Sequence, residues 1–233
     1  MGSASDPLGD VRREFTRVAP DVVKQASAFP AAILADVQGR RGTLHGRIAP
    51  VGPGMRFAGP AFTIEVRAGD NLMIHAALSM AQPGDVLVID GKGDLSCALM
   101  GGLMTNHARV IGLAALVIDG AVRDVEELRE LGFPVFAAGA NPNGPTKFVP
   151  GRINWPVSVG GATVHPGDLV VGDADGVVVV ERERAGTILG AAAKKVADEE
   201  QRLADIRQKK NLTQAWLAPA LRAAGVLKDG EAP

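Results

Sequence analysis

An arginine and an aspartate stand side by side at Arg123-Asp124, at the end of the run Val117-Ile118-Asp119-Gly120-Ala121-Val122. Arginine is a planar, two-pronged donor suited to a carboxylate or a keto oxygen. Aspartate is a hard oxygen ligand for Mg²⁺ or Mn²⁺, cations that bind through one or two carboxylates together with water and substrate. Upstream lies Gly101-Gly102-Leu103-Met104. Two glycines let a ligand come close to the backbone. The amides of Gly102, Leu103 and Met104 could open a helical turn, and helix N-termini attract carboxylates. A purely structural reading is available for the same residues. Asp124 followed by Glu127 has the spacing of an N-capping box, and Arg123 would then be a solvated loop residue.

Other chemistry-bearing residues are scattered. Asp94, close to Lys92, is either an acid or a helix cap. His107 falls near the proposed site, whereas His75 reads as a half-buried helix residue, and His45 and His165 lie beside loop glycines and turns. Cys97 is the single cysteine, so no intramolecular disulfide is possible, and with no histidine paired to it in the sequence it reads as an apolar filler. Zinc spacing, a nucleophile elbow and a P-loop are all absent from the sequence.

The elements that must position these residues follow from periodicity. Val11 to Phe29 reads as an amphipathic helix and Ala31 to Val37 as another, with a basic loop from Gly39 to Gly46. Ala61 to Arg67 reads as a strand, and Asp70 as the N-cap of a helix from Asn71 to Met80. Val86 to Ile89 and Ala114 to Ile118 are wholly apolar, as strands buried on both faces are. A loop from Asp90 to Asp94 precedes a helix expected over Leu95 to Val110, interrupted at Gly101-Gly102. Val125 to Leu131 is a helix closed by Gly132, and Pro134 to Ala137 starts a strand. Short strands are expected at 157–164, 169–171 and 176–180, and a long helix from Arg184 to about Lys210. This alternation predicts a partly parallel sheet with right-handed crossovers. Both candidate loops leave the C-terminal ends of neighbouring strands, the edge where ligands gather in open α/β sheets.

Composition narrows the function classes. The chain has 233 residues, 46% of them apolar, and a formal net charge of −1 with no basic stripe. A nucleic-acid groove needs clustered Lys and Arg, so no nucleic-acid partner is expected. No apolar run approaches the ~20 residues that span a bilayer, and the first residues lack the pattern of a signal peptide. No membrane partner and a cytoplasmic location are therefore expected.

The runs GDVLVIDGKGD, GGLM before a helix, and VIDGAVRDVEELRELGFPVFA, with the later PGDLVVGDADGVVVV, resemble the RraA-like family over roughly residues 30 to 205. That family includes 4-hydroxy-4-methyl-2-oxoglutarate / 4-carboxy-4-hydroxy-2-oxoadipate aldolases and the regulators of ribonuclease activity A. The resemblance implies an α/β fold, an αββα sandwich of the phosphohistidine-domain type. Its expected boundaries are an N-terminal helix over 1–29, a core over 30–183 and a C-terminal helical arm over 184–233. It implies a homotrimer or homohexamer and a 2-oxo acid substrate. It also implies that Asp124 binds the divalent metal, that Arg123 holds the pyruvyl part, and that the 101–104 stretch grips the substrate carboxylate. A glutamate from a neighbouring subunit, Glu199 or Glu200 here, would approach the site. Aldolases of the family usually carry an acid where this chain has Gly102, leaving Asp94 or His107 as substitutes. The regulators typically lack the aspartate of the Arg-Asp pair, which this chain keeps. The expected activity is thus a class II pyruvate aldolase and oxaloacetate decarboxylase, with a non-catalytic ribonuclease regulator as the alternative.

Overall fold

The computed structural model describes residues 9–228 and 230–233. In chain order the elements are β1 (Asp10–Val11), α1 (Pro20–Ala26), α2 (Ala31–Val37), β2 (Ala49–Pro50), β3 (Phe57–Glu65), α3 (Leu72–Leu78), β4 (Val86–Met100), α4 (Gly102–Val110) and β5 (Ala115–Val122). There follow α5 (Val125–Leu131), β6 (Val135–Ala140), β7 (Arg152–Ile153), β8 (Val157–Val159), β9 (Ala162–Val164), β10 (Leu169–Asp173), β11 (Gly176–Val180), α6 (Ala185–Arg207) and α7 (Leu217–Ala223). The chain forms two compact units, residues 1–192 and 193–233. Among the described residues no helix is long and apolar enough to cross a membrane.

In the first unit β3, β4, β5 and β6 run parallel and adjacent, joined by α3, α4 and α5. Strand β3 serves three neighbours: its first residues pair with β10, which also pairs with β11, and its later residues pair with β4 on one side and, at Ile64 and Glu65, with β7 on the other. The apolar runs in the sequence have this cause. On β4, Leu87 and Ile89 face the helices and pack with Ile74 of α3, Ala108 of α4 and Leu128 of α5. Val86 and Val88 face the other way, toward Val157 and Val159 of β8 and Val170 of β10. A strand buried on both faces has no polar side to alternate with. The helix layer, the parallel strands, the second β layer and α2 packed on β10 and β11 give the α/β, αββα arrangement expected.

Four expectations change. The helix expected from Val11 to Phe29 is confined to Pro20–Ala26, because Pro20 occupies the first turn and residues 10–11 instead pair with 152–153 of β7. The loop expected at Asp90 to Asp94 belongs to β4. The helix expected from Leu95 starts at Gly102, because residues 94–100 stay on the ladder: Asp94 pairs with Gly120, Ala98 with Ala121 and Met100 with Val122. Register shifts between these pairs absorb the extra β4 residues. Strand β5 correspondingly runs on to Val122, past Ile118, where the apolar run ends.

The turns Gln82-Pro83-Gly84-Asp85 and His165-Pro166-Gly167-Asp168 share a device. In each, the aspartate accepts the amide three residues back: Gln82 N to Asp85 at 2.8 Å, His165 N to Asp168 at 2.9 Å. Gly84 and Gly167 both have positive φ, which these tight turns require. Asp85 also takes a two-pronged ion pair from Arg17, at 2.6 and 2.8 Å.

Candidate functional site

The pairing of Met100 with Val122 fixes the site. It brings the start of α4 beside the end of β5, and Arg123 N donates to Met100 O at 3.0 Å. A cleft of about 300 Å³ opens there. Arg123, Asp124, Gly101, Leu103 and Met104 all line it, as do Asn71, His75, Glu127 and Lys147.

Asp124 adopts a left-handed conformation, φ 59° and ψ 40°, which Asp tolerates better than most residues. Although Asp124 is the N-cap residue of α5, its side chain makes no capping bond there. Its Oδ2 instead accepts the Gly102 amide at 2.9 Å, at the first turn of α4. The capping-box reading therefore fails on geometry: the turn carries the carboxylate off its own helix and onto a neighbouring one. Arg123 Nε lies 3.7 Å from the same oxygen, with both side chains close to half exposed. This closeness needs Gly101, since a Cβ there would overlap Asp124 Oδ2 and come within 2.8 Å of Arg123 Cγ.

Of the amides expected to face substrate, that of Gly102 is engaged by Asp124. Those of Leu103 and Met104 belong to the first turn of α4, which has no intrahelical partners for its N–H groups. Leu103 is 88% exposed, so its side chain stands at the mouth of the cleft, free of the core.

Asn71 and His75 are contributions that periodicity alone did not assign. They lie four apart on α3 and its cap, hence on one helical face. Asn71 is buried, donates to Leu99 O at 2.9 Å, and leaves its Oδ1 buried with no hydrogen-bond partner. Burial pushes the His75 imidazole down from its ordinary value, and the charges of Lys147 and His107 push it further.

The segment 141–149 closes one side. Asn143 O accepts the Ala98 amide at 2.8 Å, and the Arg123 guanidinium packs against Gly144. Its main anchor is Asp70, only 1% exposed, which accepts from Thr146 Oγ1 at 2.6 Å, Phe148 N at 2.8 Å and Val149 N at 3.3 Å, and from Leu72 N at 2.9 Å. Asp70 thus ties this loop to the start of α3, but the N-cap expected at Asp70 is Asn71, one residue on, and Asp70 reaches the Leu72 amide from outside the helix. Burial alone would raise its carboxyl, but these bonds outweigh burial and hold it below the usual carboxylate range. Because the folded value lies below the unfolded one, the stabilisation is complete above the unfolded value, near 3.9, and is lost as pH falls through the folded value. The Tm gap between wild type and Asp70→Asn is expected to hold from pH 7 to about 5 and to narrow below about 4. A gap unchanged down to pH 3 would contradict this.

Other candidates fall elsewhere. Asp94 turns back on its own loop, accepting from Ser96 N at 3.1 Å and Ser96 Oγ at 2.8 Å. Lys92 pairs with Glu65 and Asp90. Neither these residues nor His107 lines the cleft. Cys97 is buried, which together with Asp94 pushes its thiol up, as suits the filler reading. Glu199 lies on α6 in the second compact unit, 3.0 Å from Lys195. Among the described residues, no group of three or more His, Cys, Asp or Glu is placed to hold a metal.

Comparison with known proteins bears on the family and the fold. A protein of Halalkalibacterium halodurans that carries the name "Putative 4-hydroxy-4-methyl-2-oxoglutarate aldolase" is 40% identical over 182 residues, 78% of this chain and 87% of its own. An uncharacterised protein from Pseudomonas syringae pv. tomato superposes with a TM-score of 0.74 at 27% identity, over 83% of this chain and 96% of its own. Streptomyces coelicolor RraAS2, described as an unusual member of the RNase ES inhibitor RraA family, superposes with a TM-score of 0.73 at 30% identity, over 81% and 98%. The RraA-like family model, described as Aldolase/RraA, matches residues 19–179, most of the first compact unit. The chain belongs to the RraA-like family.

Proposed function

We propose that this cleft is a divalent-cation-dependent lyase site that releases pyruvate from 4-hydroxy-2-oxo acids of the 4-hydroxy-4-methyl-2-oxoglutarate type and from oxaloacetate. The observation that carries the reading is the convergence of Arg123, Asp124 and the first turn of α4 on one cleft.

The residues suit Mg²⁺ or Mn²⁺. Asp124 offers hard oxygens, Glu127 is a second carboxylate in the cleft, and the buried Asn71 Oδ1 is an acceptor without a donor. A cage of three protein ligands is not needed, because Mg²⁺ commonly takes one or two carboxylates and fills the rest with water and substrate. Asp124 would hold the cation, which supplies Lewis-acid polarisation of the substrate's keto oxygen.

The chain's own residues account for the remainder. The Arg123 fork directs positive charge at the keto and carboxylate oxygens of a 2-oxo acid, where enolate charge develops. The Leu103 and Met104 amides add dipoles for the carboxylate. The segment 141–149, pinned by Asp70, limits water on one side. In aldol cleavage the C4 hydroxyl loses its proton, the C3–C4 bond breaks, and its electron pair stays with the pyruvate fragment, which is then protonated at C3. In oxaloacetate the corresponding bond breaks with loss of CO₂ and needs no hydroxyl proton removed.

The test is pyruvate release from both substrates, followed by coupled lactate dehydrogenase. Release is expected with Mg²⁺ or Mn²⁺, to be lost with EDTA and restored by added cation. No release with any divalent cation would remove the reading. The likeness to RraAS2 favours the second reading, a ribonuclease regulator without turnover, and that outcome would favour it. The proposal extends to a homotrimer or homohexamer in which Glu199 serves a neighbouring cleft, and a solution mass of three or six chains would accord with it.

A further inference from the structure

We propose that Glu127 supplies the second carboxylate of this cleft, in the space that a side chain at position 102 would fill, and strengthens the hold of Asp124 on a divalent cation. The inference rests on the cation-dependent reading of the cleft given above.

Gly102 is the first residue of α4 and is buried. A Cβ built on it would overlap the Glu127 carboxylate, with Oε2, Cδ and Oε1 all nearer than real Cβ atoms approach. The Glu127 headgroup therefore packs directly on the Gly102 backbone, in volume that any other residue type at 102 would take. The carboxylate is also pinned. Asn106 Nδ2, one turn along α4, donates at 3.1 Å to Glu127 Oε1 and at 3.1 Å to Gly102 O. A long, exposed glutamate is thus held in one place by a residue of another helix.

Its position relative to Asp124 follows from their common neighbour, Gly102. Asp124 Oδ2 takes the Gly102 amide while Glu127 covers the same residue's α-carbon. Two carboxylates converge on one glycine, and both line the cleft. Like charges brought together disfavour each other, and a divalent cation relieves that repulsion. A local structural role for Glu127 would be the reciprocal bond of a capping box, but its hydrogen bond runs to Asn106 of α4.

The experiment measures Mn²⁺ binding by electron paramagnetic resonance in the full chain, with pyruvate release in parallel. In Glu127→Gln, which keeps size and hydrogen bonding, the Mn²⁺ Kd is expected to rise about 10–100-fold, as when an outer-shell partner of a metal site is lost. Tm should stay at the wild-type value, and kcat should recover toward wild type at saturating Mg²⁺. Moving the carboxylate back, in the double variant Gly102→Asp with Glu127→Ala, is expected to restore most of the lost Mn²⁺ affinity; a merely structural glutamate would not be rescued in this way. Wild-type Mn²⁺ affinity in Glu127→Gln would overturn the inference and leave the lyase reading standing. Wild-type protein that neither binds Mn²⁺ nor releases pyruvate would overturn the reading and the inference together.

Discussion

Asp124→Ala is expected to reduce pyruvate release from either substrate by at least about 10³-fold, and added Mg²⁺ should not recover it. The reasoning is energetic. Lewis-acid stabilisation of a developing enolate contributes several kcal/mol, and each 1.36 kcal/mol lost from the barrier is tenfold in rate. Asp124 is the residue proposed to hold the cation, and its carboxylate is positioned by the Gly102 amide. The variant should fold, because the residue is exposed and its loss leaves one amide at a helix end that water can reach. Alanine in a left-handed turn costs roughly 1 kcal/mol, so Tm should fall by no more than a few degrees. Circular dichroism with the coupled assay measures both quantities. Turnover near the wild-type rate at high Mg²⁺ would contradict the assignment.

The second large effect is expected at Arg123. Arg123→Lys keeps the charge but replaces a planar fork with a point charge on a flexible stem. Removing one preorganised donor aimed at a developing oxyanion typically costs about 10²–10³-fold in kcat. The lysine variant should lose nearly as much as Arg123→Ala, because the guanidinium is held by packing on Gly144 and by its closeness to Asp124, and an ammonium reproduces neither contact. The loss is expected in kcat more than in KM, since the interaction strengthens as charge moves onto the keto oxygen. A lysine variant with wild-type kcat would show that only net positive charge is needed at this position.

The parts of this account that were legible in the sequence have local causes. Val86 to Ile89 and the run to Ile118 are apolar because both their faces are covered, and α5 ends where Gly132 takes a left-handed turn. The Arg123-Asp124 pair could be singled out because it follows such a strand at its C-terminal edge. The parts that were not legible depend on pairings between distant residues. Residues 10–11 join β7, more than a hundred residues away, so the segment before Pro20 is not helical despite its helical spacing. Residues 90–100 look like a loop with two glycines, at 91 and 93, followed by the start of a helix, and only their ladder with β5 keeps them extended.

The cleft shows the same division. Glu127 has the sequence signature of a capping box, and what removes it from that role is the left-handed turn at Asp124 and the empty side of Gly102. Neither can be read from residue types. Asn71 and His75 did carry a signal in their spacing of four, but nothing in the chain's order says that this face of α3 meets α4 across Leu99. Asp70 reads as the N-cap of α3, a position that Asn71 takes, although Asp70 does accept the Leu72 amide; its second task, anchoring residues 146–149, spans a separation of more than seventy residues.

The most direct measurement is an anomalous difference map from a crystal grown with Mn²⁺ and pyruvate. The account predicts a Mn²⁺ peak about 2.0–2.2 Å from an Asp124 carboxylate oxygen, the distance typical of a small hard cation, with the Arg123 guanidinium on the pyruvate. A map in which Asp124 holds only the Gly102 amide, with Mn²⁺ and pyruvate bound elsewhere or not at all, would contradict it.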